Sequence, residues 1–415
     1  MNSIKTVIVS LFILGFAGIV CAQTWSFQSS GTDRKLNHIN FADNSMGWAF
    51  GDTSDAFGNF ISGVFLKTTD GGGNWVKATT GFEKYDISSS YFFTSDYGIV
   101  AGKYQDSGDG VVLITLNGGL TWTANTSFTE RIDDVDFADA NNGWIVGRDG
   151  TIYSSSNAGS SWTQQTSGTD VELFAVDFTD ANIGHISGAE TTLLNTYDGG
   201  SSWAVADTAG LPKLDYFDIF FINTSTGWTV GEAGTILTSA DSGKTWSEQT
   251  SGTNVDLFSV SFVDENNGWI SGGGGTILYT TDGGSTWNSQ LSGSNQDILS
   301  ISMRTASLGW YCGDNGTIGY YSNFPSSIMD NNAMLNYVTV YPNPVSNKAI
   351  IDLSQFSKNE SSIALYDLTG SLILQRTQIK GPNITLSNDG ITPGVYILKI
   401  INSAGQLYTE KIIFN

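Results

Sequence analysis

An eight-residue box of the form Ser/Thr-x-Asp/Asn-x-Gly-x-Thr/Ser-Trp recurs six times in this 415-residue chain, the first copy with Asn74 before its Trp. The boxes end at Trp75, Trp122, Trp162, Trp203, Trp246 and Trp287, at intervals of 47, 40, 41, 43 and 41 residues. A second column, Gly-Trp after an apolar run ending in Phe, falls at Trp48, Trp144, Trp228, Trp269 and Trp310, with Ile99 and His185 in its two other places. A period of this length, filled with short strands and turns, restricts the chain to a stack or a ring of small β-units. The Gly count of 49 and a charged fraction of 14% suit such a chain and not a helical one.

The two columns are out of step, with seven copies of one and six boxes. The mature N-terminus supplies the missing piece, since Trp25-Ser-Phe-Gln-Ser-Ser-Gly31-Thr32 matches Trp162-Thr-Gln-Gln-Thr-Ser-Gly168-Thr169. The seventh repeat, conversely, stops at Asn323, before its Trp strand. The expected architecture is therefore all-β: a seven-bladed β-propeller whose first strand completes the last blade and removes the sheet edge. An open solenoid would leave the split repeat unexplained. The outer-strand column takes seven Trp and the Gly-Trp column five, which accounts for all 12 and assigns them to packing between blades.

In each box the third residue can accept backbone N–H bonds across a tight turn, with Gly supplying the positive φ. Asp70, Asp198, Asp241 and Asp282 alternate with Asn117 and Asn157 there. That interchange suits hydrogen-bond acceptance and would abolish acid–base catalysis, so the boxes read as structural. They resemble the Asp-box of bacterial sialidases, sortilin-type receptors and propellers related to photosystem II assembly factors. The single ring with Phe…Gly-Trp columns is most similar to the last of these, which implies a protein-binding, assembly-type role.

Flanking segments point to export. Residues 1–22 read as a secretory leader, with Lys5 as the only charge, an apolar run from Thr6 to Val20 and small residues before Gln23. Cleavage after Ala22 is expected in preference to lipidation at Cys21, and leaves Cys312 as the sole thiol, a small buried hydrophobe. The propeller is expected over 23–326 and a linker over 327–336. Residues 337–415 read as a small Ig-like β-sandwich. Tyr341-Pro342-Asn343-Pro344, Leu365-Tyr366-Asp367-Leu368-Thr369-Gly370, Pro393-Gly394-Val395-Tyr396 and Lys411 resemble the type A C-terminal sorting domain of the type IX secretion system. The resemblance implies delivery across the outer membrane, with release or attachment at the surface, and the secretion machinery as a partner.

The formal charge of −22 lies in the front of the chain, because residues 333–415 hold six Lys/Arg and five Asp/Glu. Such a propeller is a poor partner for nucleic acid, whose phosphates need Lys and Arg. No segment of the mature chain is long and apolar enough for a membrane span. Of 11 Lys/Arg in residues 23–332, seven sit in the connections opposite the boxes: Arg34, Lys35, Lys84, Lys103, Arg131, Arg148 and Lys213. These form the candidate ligand-binding face.

Six residues before the Phe column (Met303 in the seventh repeat) every occupant is charged: Lys35, Asp86, Arg131, Glu172, Asp215, Asp256 and Asp297. The pattern predicts a ring at the mouth of the central channel, either a ligand ring or a repeated cap on the strand start.

Catalytic sets are thin. His38 and His185 are the only histidines, and the propeller's arginines are Arg34, Arg131, Arg148 and Arg304, with no sialidase signature. Asp133, Asp134 and Asp136 lie along one strand and form no calcium loop. No metal or cofactor is expected. The reading is an exported, non-enzymatic binding propeller for an extracellular protein or glycan. Its rival is a carbohydrate-active hydrolase of sialidase or xyloglucanase type, using two propeller carboxylates.

Overall fold

The computed structural model describes residues 25–54, 60–78, 82–125 and 128–322. Beyond these it describes 339–341, 345, 347–352, 361–367, 372–379, 383–388, 390–402 and 407–414. The expected leader, the linker at 327–336 and the Pro342-Asn343-Pro344 motif lie outside the described residues, as does the turn at Thr369-Gly370. The chain divides into two compact units, Met1–Asn323 and Phe324–Asn415.

The first unit is a seven-bladed propeller. Each blade is a four-stranded antiparallel sheet, as in the third, where Ile132–Phe137, Gly143–Gly147, Ile152–Ser155 and Thr163–Gln165 follow in order from the channel outward. The seventh blade takes Ile298–Thr305, Leu308–Gly313 and Ile318–Ser322 from the end of the repeat region. Its fourth strand is Trp25–Gln28, paired with Ile318–Tyr321. The split repeat is therefore a ring closure.

Blades are joined by aromatic sandwiches that explain the sequence columns. Trp48, Trp144, Trp228 and Trp310 stack at 3.4–3.6 Å on Phe92, Phe178, Phe262 and Phe41 of the following blade. Each Phe in turn covers the Gly that opens the second strand of its own blade: a Cβ on Gly143 would lie 2.2 Å from the Phe137 ring, so that column admits no side chain. The second Trp column meets the same Phe rings edge-on, as Trp203 meets Phe178 at 88°. Outer-strand glutamines clip neighbouring blades together. Gln28 accepts from Trp75 Nε1 and donates to the Gly71 carbonyl, which ties the last blade to the first.

In all six boxes the third residue accepts the backbone N–H four residues on, at 2.8–2.9 Å, through Asp70, Asn117, Asn157, Asp198, Asp241 and Asp282. A buried or half-buried hydroxyl two residues earlier, such as Thr68, donates to the same oxygen. Asp and Asn serve equally in this geometry.

The second unit packs two sheets face to face. One holds Thr339–Tyr341, Lys348–Asp352 and Asn383–Ser387. The other runs Leu372–Ile379, Ser361–Asp367, Gly394–Asn402 and Leu407–Phe414. Ile351, Leu386, Leu365, Leu398, Ile412 and Phe414 fill the space between them.

Candidate functional site

The innermost strands do not alternate regularly. In every blade the pairing of the first strand with the second skips one residue, four places before the Phe column. Seven such bulges put Asn37, Ser88, Asp133, Phe174, Phe217, Phe258 and Leu299 out of the ladder and into the channel wall. The bulge brings the preceding backbone so close to the second strand that a Cβ on Gly147 would lie 2.0 Å from the Arg131 carbonyl oxygen, which accounts for a third Gly column.

The cavity these residues enclose has a volume of about 300 Å³ and two unlike walls. Blades one to three contribute Asn37, Ser88 and Asp133. Blades four to seven contribute three half-buried phenylalanines and Leu299, with Phe174 and Phe217 centroids 5.6 Å apart and Phe217 and Phe258 5.9 Å apart. Two larger hollows beside the Ser30-Gly31-Thr32 and Ser167-Gly168-Thr169 turns lie on the outer rim, repeat the same turn chemistry and gather no such convergence.

The charged ring is placed at the entry to the inner strands, and its members do different things. Asp215, Asp256 and Asp297 each accept a backbone N–H from the preceding blade, from Glu190, Ala233 and Gly274 at 2.8–3.0 Å. All three donors have φ between +53° and +61°, so these carboxylates hold left-handed turns in place. Glu172 instead meets Arg131 at 2.5 Å, and Arg131 also pairs with Asp133 at 2.6 Å. Asp86 pairs with Lys103 at 3.3 Å and takes a long bond from Asn37. Burial, with Asp86 alongside, pushes Asp52 up to about 6. Lys35 stands exposed at the rim.

The seven cations of the candidate face thus do not make a positive patch. Lys103 and Arg131 are neutralised by carboxylates at the mouth, and Arg34 pairs with exposed Asp33 at 3.2 Å. Lys84, Arg148 and Lys213 are exposed on the connections around it.

Deeper in the channel lie carboxylates whose roles the sequence concealed. Asp134 accepts the Val176 N–H and Asp218 the Val260 N–H, both at 2.8 Å, while Asp136 accepts the Phe178 N–H at 2.7 Å and Asp177 the Phe221 N–H at 3.0 Å. Every donor belongs to the next blade, so each carboxylate is a tie between blades. Ser259, Ser261 and Ser300 serve the same purpose elsewhere in the ring. Burial is the main cause that drives Asp136 and Asp218 up to about 7 and Asp177 well above the carboxylate range.

Asp133 differs from them. Its side chain is 9% exposed, Oδ1 meets Arg131, and Oδ2 has no hydrogen-bond partner. Burial pushes it up to about 7, against the pull of Arg131. His38, on the same wall, is held neutral by burial at about 4 and also has an unpartnered Nε2.

Comparison with known proteins agrees with both parts of the sequence reading. Residues 124–204, 161–250 and 248–322 match the family model described as Photosynthesis system II assembly factor YCF48. Residues 339–415 match the secretion system C-terminal sorting domain. Comparison with curated proteins gives no match.

Among solved structures, YCF48 bound to a D1 peptide is 17% identical, with a TM-score of 0.59 over 72% of this chain and 94% of that one. YCF48 from Cyanidioschyzon merolae, also 17% identical, gives 0.57 over 72% and 98%. The GH74 xyloglucanase from Xanthomonas campestris, 14% identical, gives 0.56 over 79% and 60%. At these identities the likeness is one of fold. The propeller is similar to the YCF48 family, and the tail is a sorting domain that indicates export by the type IX system. Among the described residues no helix is long and apolar enough to cross a membrane.

Proposed function

We propose that this chain is an exported, non-enzymatic binding propeller that receives a partner on the face carrying the channel mouth, and that is released or held at the cell surface after loss of residues 1–22. The observation that supports this most is how the acids are spent. Asp134, Asp136, Asp177 and Asp218 accept backbone amides of the next blade, and Asp215, Asp256 and Asp297 accept amides of turns. A glycosidase needs a carboxylic acid free to reach the leaving oxygen and a second carboxylate facing it. Carboxylates engaged in holding blades together are ill placed for proton transfer. The peptide bound by the YCF48 neighbour is a property of that protein, and it favours a protein segment over a glycan as the partner here.

The test starts with peptide and glycan arrays probed with the purified chain. A variant with Arg34, Lys35, Arg148 and Lys213 all changed to Ser alters the rim and spares the blade ties. Loss of array binding with an unchanged melting curve supports the mouth face. Binding that survives on the variant, or cleavage of an arrayed glycan by the parent chain, overturns the reading.

A further inference from the structure

We propose that the channel mouth binds a primary ammonium group carried on an unbranched apolar stem, the chemistry shared by a lysine side chain and a small aliphatic amine. This rests on the reading of the mouth face as the binding face and supplies its chemistry.

The polar wall offers an incomplete site. Asp133 is nine-tenths buried, lines the cavity, and leaves Oδ2 without a donor. A buried carboxylate oxygen without a donor is costly, and native proteins rarely leave one so unless something binds there. Arg131 meets the other oxygen through one terminal nitrogen, shares that nitrogen with Glu172, and leaves its own Nε unpaired. An ionised Asp133 needs a donor there, and a cationic donor would favour that ionised form against the burial that raises it. Asp134 and Asp218 also line the cavity, and among the described residues Arg131 is the cation paired at Asp133.

The opposite wall selects what carries that cation. Phe174, Phe217 and Phe258 are half-buried in an otherwise closely packed ring, displaced from their ladders by the bulges. Their exposed ring surface can cover methylene groups and attract an ammonium through the negative ring faces. A carboxylate on one side and phenyl rings on the other match the two parts of an alkylammonium, its charge and its methylene stem. The cavity of about 300 Å³ accommodates a lysine-sized stem without displacing the blades.

Calorimetric titration of the full chain with n-hexylamine, with n-hexanol as the uncharged control, tests the proposal. Hexylamine is expected to bind at least about tenfold more tightly than hexanol, a difference of about 1.4 kcal/mol. Asp133→Asn should cost about tenfold in amine affinity by the same measure. Should that variant fail to fold, Phe217→Ser, which leaves the Arg131 pairs intact, should weaken the amine several-fold with its melting curve preserved.

The peptide acetyl-Gly-Lys-Gly-amide separates the sources. Binding equal to hexylamine assigns the site to a protein lysine, and binding of the free amine alone assigns it to a small amine. Equal affinity for hexanol and hexylamine, or unchanged amine affinity in Asp133→Asn, overturns the proposal. If array binding depends on the mouth face while hexylamine does not bind, this inference fails and the proposed function stands. If hexylamine binds and array binding ignores the rim variant, the reverse holds.

Discussion

His185 lies flat on Phe221 of the next blade, ring centroids 3.6 Å apart and planes 12° from parallel, in the place where four other blades stack Trp on Phe. Those indoles also donate Nε1–H to a box carbonyl of the next blade, as Trp144 does to Gly199 at 3.2 Å. An imidazole cannot span that distance, and Asn195 bridges it. His185 Nδ1 meets Asn195 Oδ1 at 2.7 Å, and Asn195 Nδ2 donates to the Gly243 carbonyl at 2.7 Å.

Asn195→Ala should therefore leave the His185 Nδ1 buried and unpaired and remove one of the two donors at the Gly243 carbonyl, the other being Trp246 Nε1. The expected cost is about 1–3 kcal/mol in chemical denaturation, with the midpoint lowered and the slope unchanged. A loss below a few tenths of a kcal/mol would mean that the stacking alone holds this interface.

The ring and its closure were legible because they depend on columns that repeat. Trp25 and the truncated seventh repeat are complementary on paper, and pairing with Tyr321 is the physical consequence. The bulge leaves a fainter signal in the spacing of apolar residues. Leu36, Ile39 and Phe41, like Ile132, Val135 and Phe137, are spaced three and then two, where an unbroken strand would keep a period of two. The charged entry position of Lys35 and its equivalents precedes the bulge by two residues, as Arg131 precedes Asp133. The partners of each charge could not be read from sequence. Arg131 and Glu172 are 41 residues apart, and the amides that hold Asp136 and Asp177 belong to neighbouring blades.

Deleting residues 23–30 should damage the whole propeller, since it removes the Trp25–Gln28 strand, the Trp25 Nε1 bond to Gln290 and the Gln28 clip to Gly71. The exposed Ile318–Ser322 edge would also invite association. The melting temperature is expected to fall on the order of 10 °C. A synthetic peptide of residues 23–32 should restore part of it, and no recovery would point to general misfolding in place of a missing strand.

The sorting domain should act as an address independent of the propeller. Fusing residues 337–415, behind an export leader, to an unrelated reporter should deliver it to the surface or medium of a host with a type IX system. Removing them from this chain should leave the propeller inside the outer membrane. Cell fractionation reads both outcomes, and delivery of the shortened chain would remove the tail from the export route.

The acids between the blades give the propeller an inverted response to pH. Asp136 and Asp218 titrate near 7 in the folded chain and near 3.9 once unfolded, and Asp177 is raised as well. Above about pH 4 the folded state therefore binds more protons at these groups than the unfolded state does. Their contribution is complete at low pH and is lost as pH rises through 7. His38 and His185, lowered to about 4 by burial, act in the opposite sense, and their effect fades as the unfolded imidazoles lose their protons, by about pH 7.5. The box carboxylates, lowered by their turn hydrogen bonds, lose their contribution only in stronger acid. From pH 6.5 to 8 the inter-blade acids act together with Asp133, which is also raised to about 7, and against the fading contribution of the two histidines. Each near-7 group should cost about 1 kcal/mol across that range, and the melting temperature should fall by several degrees. Asp136→Asn keeps an oxygen to accept the Phe178 N–H and carries no charge. Combined with Asp218→Asn it should make the profile shallower, with Asp133 and Asp177 still titrating, and leave the variant at least as stable as the parent at pH 8. A parent profile already flat between pH 6.5 and 8 would mean that these carboxylates stay ionised in the fold.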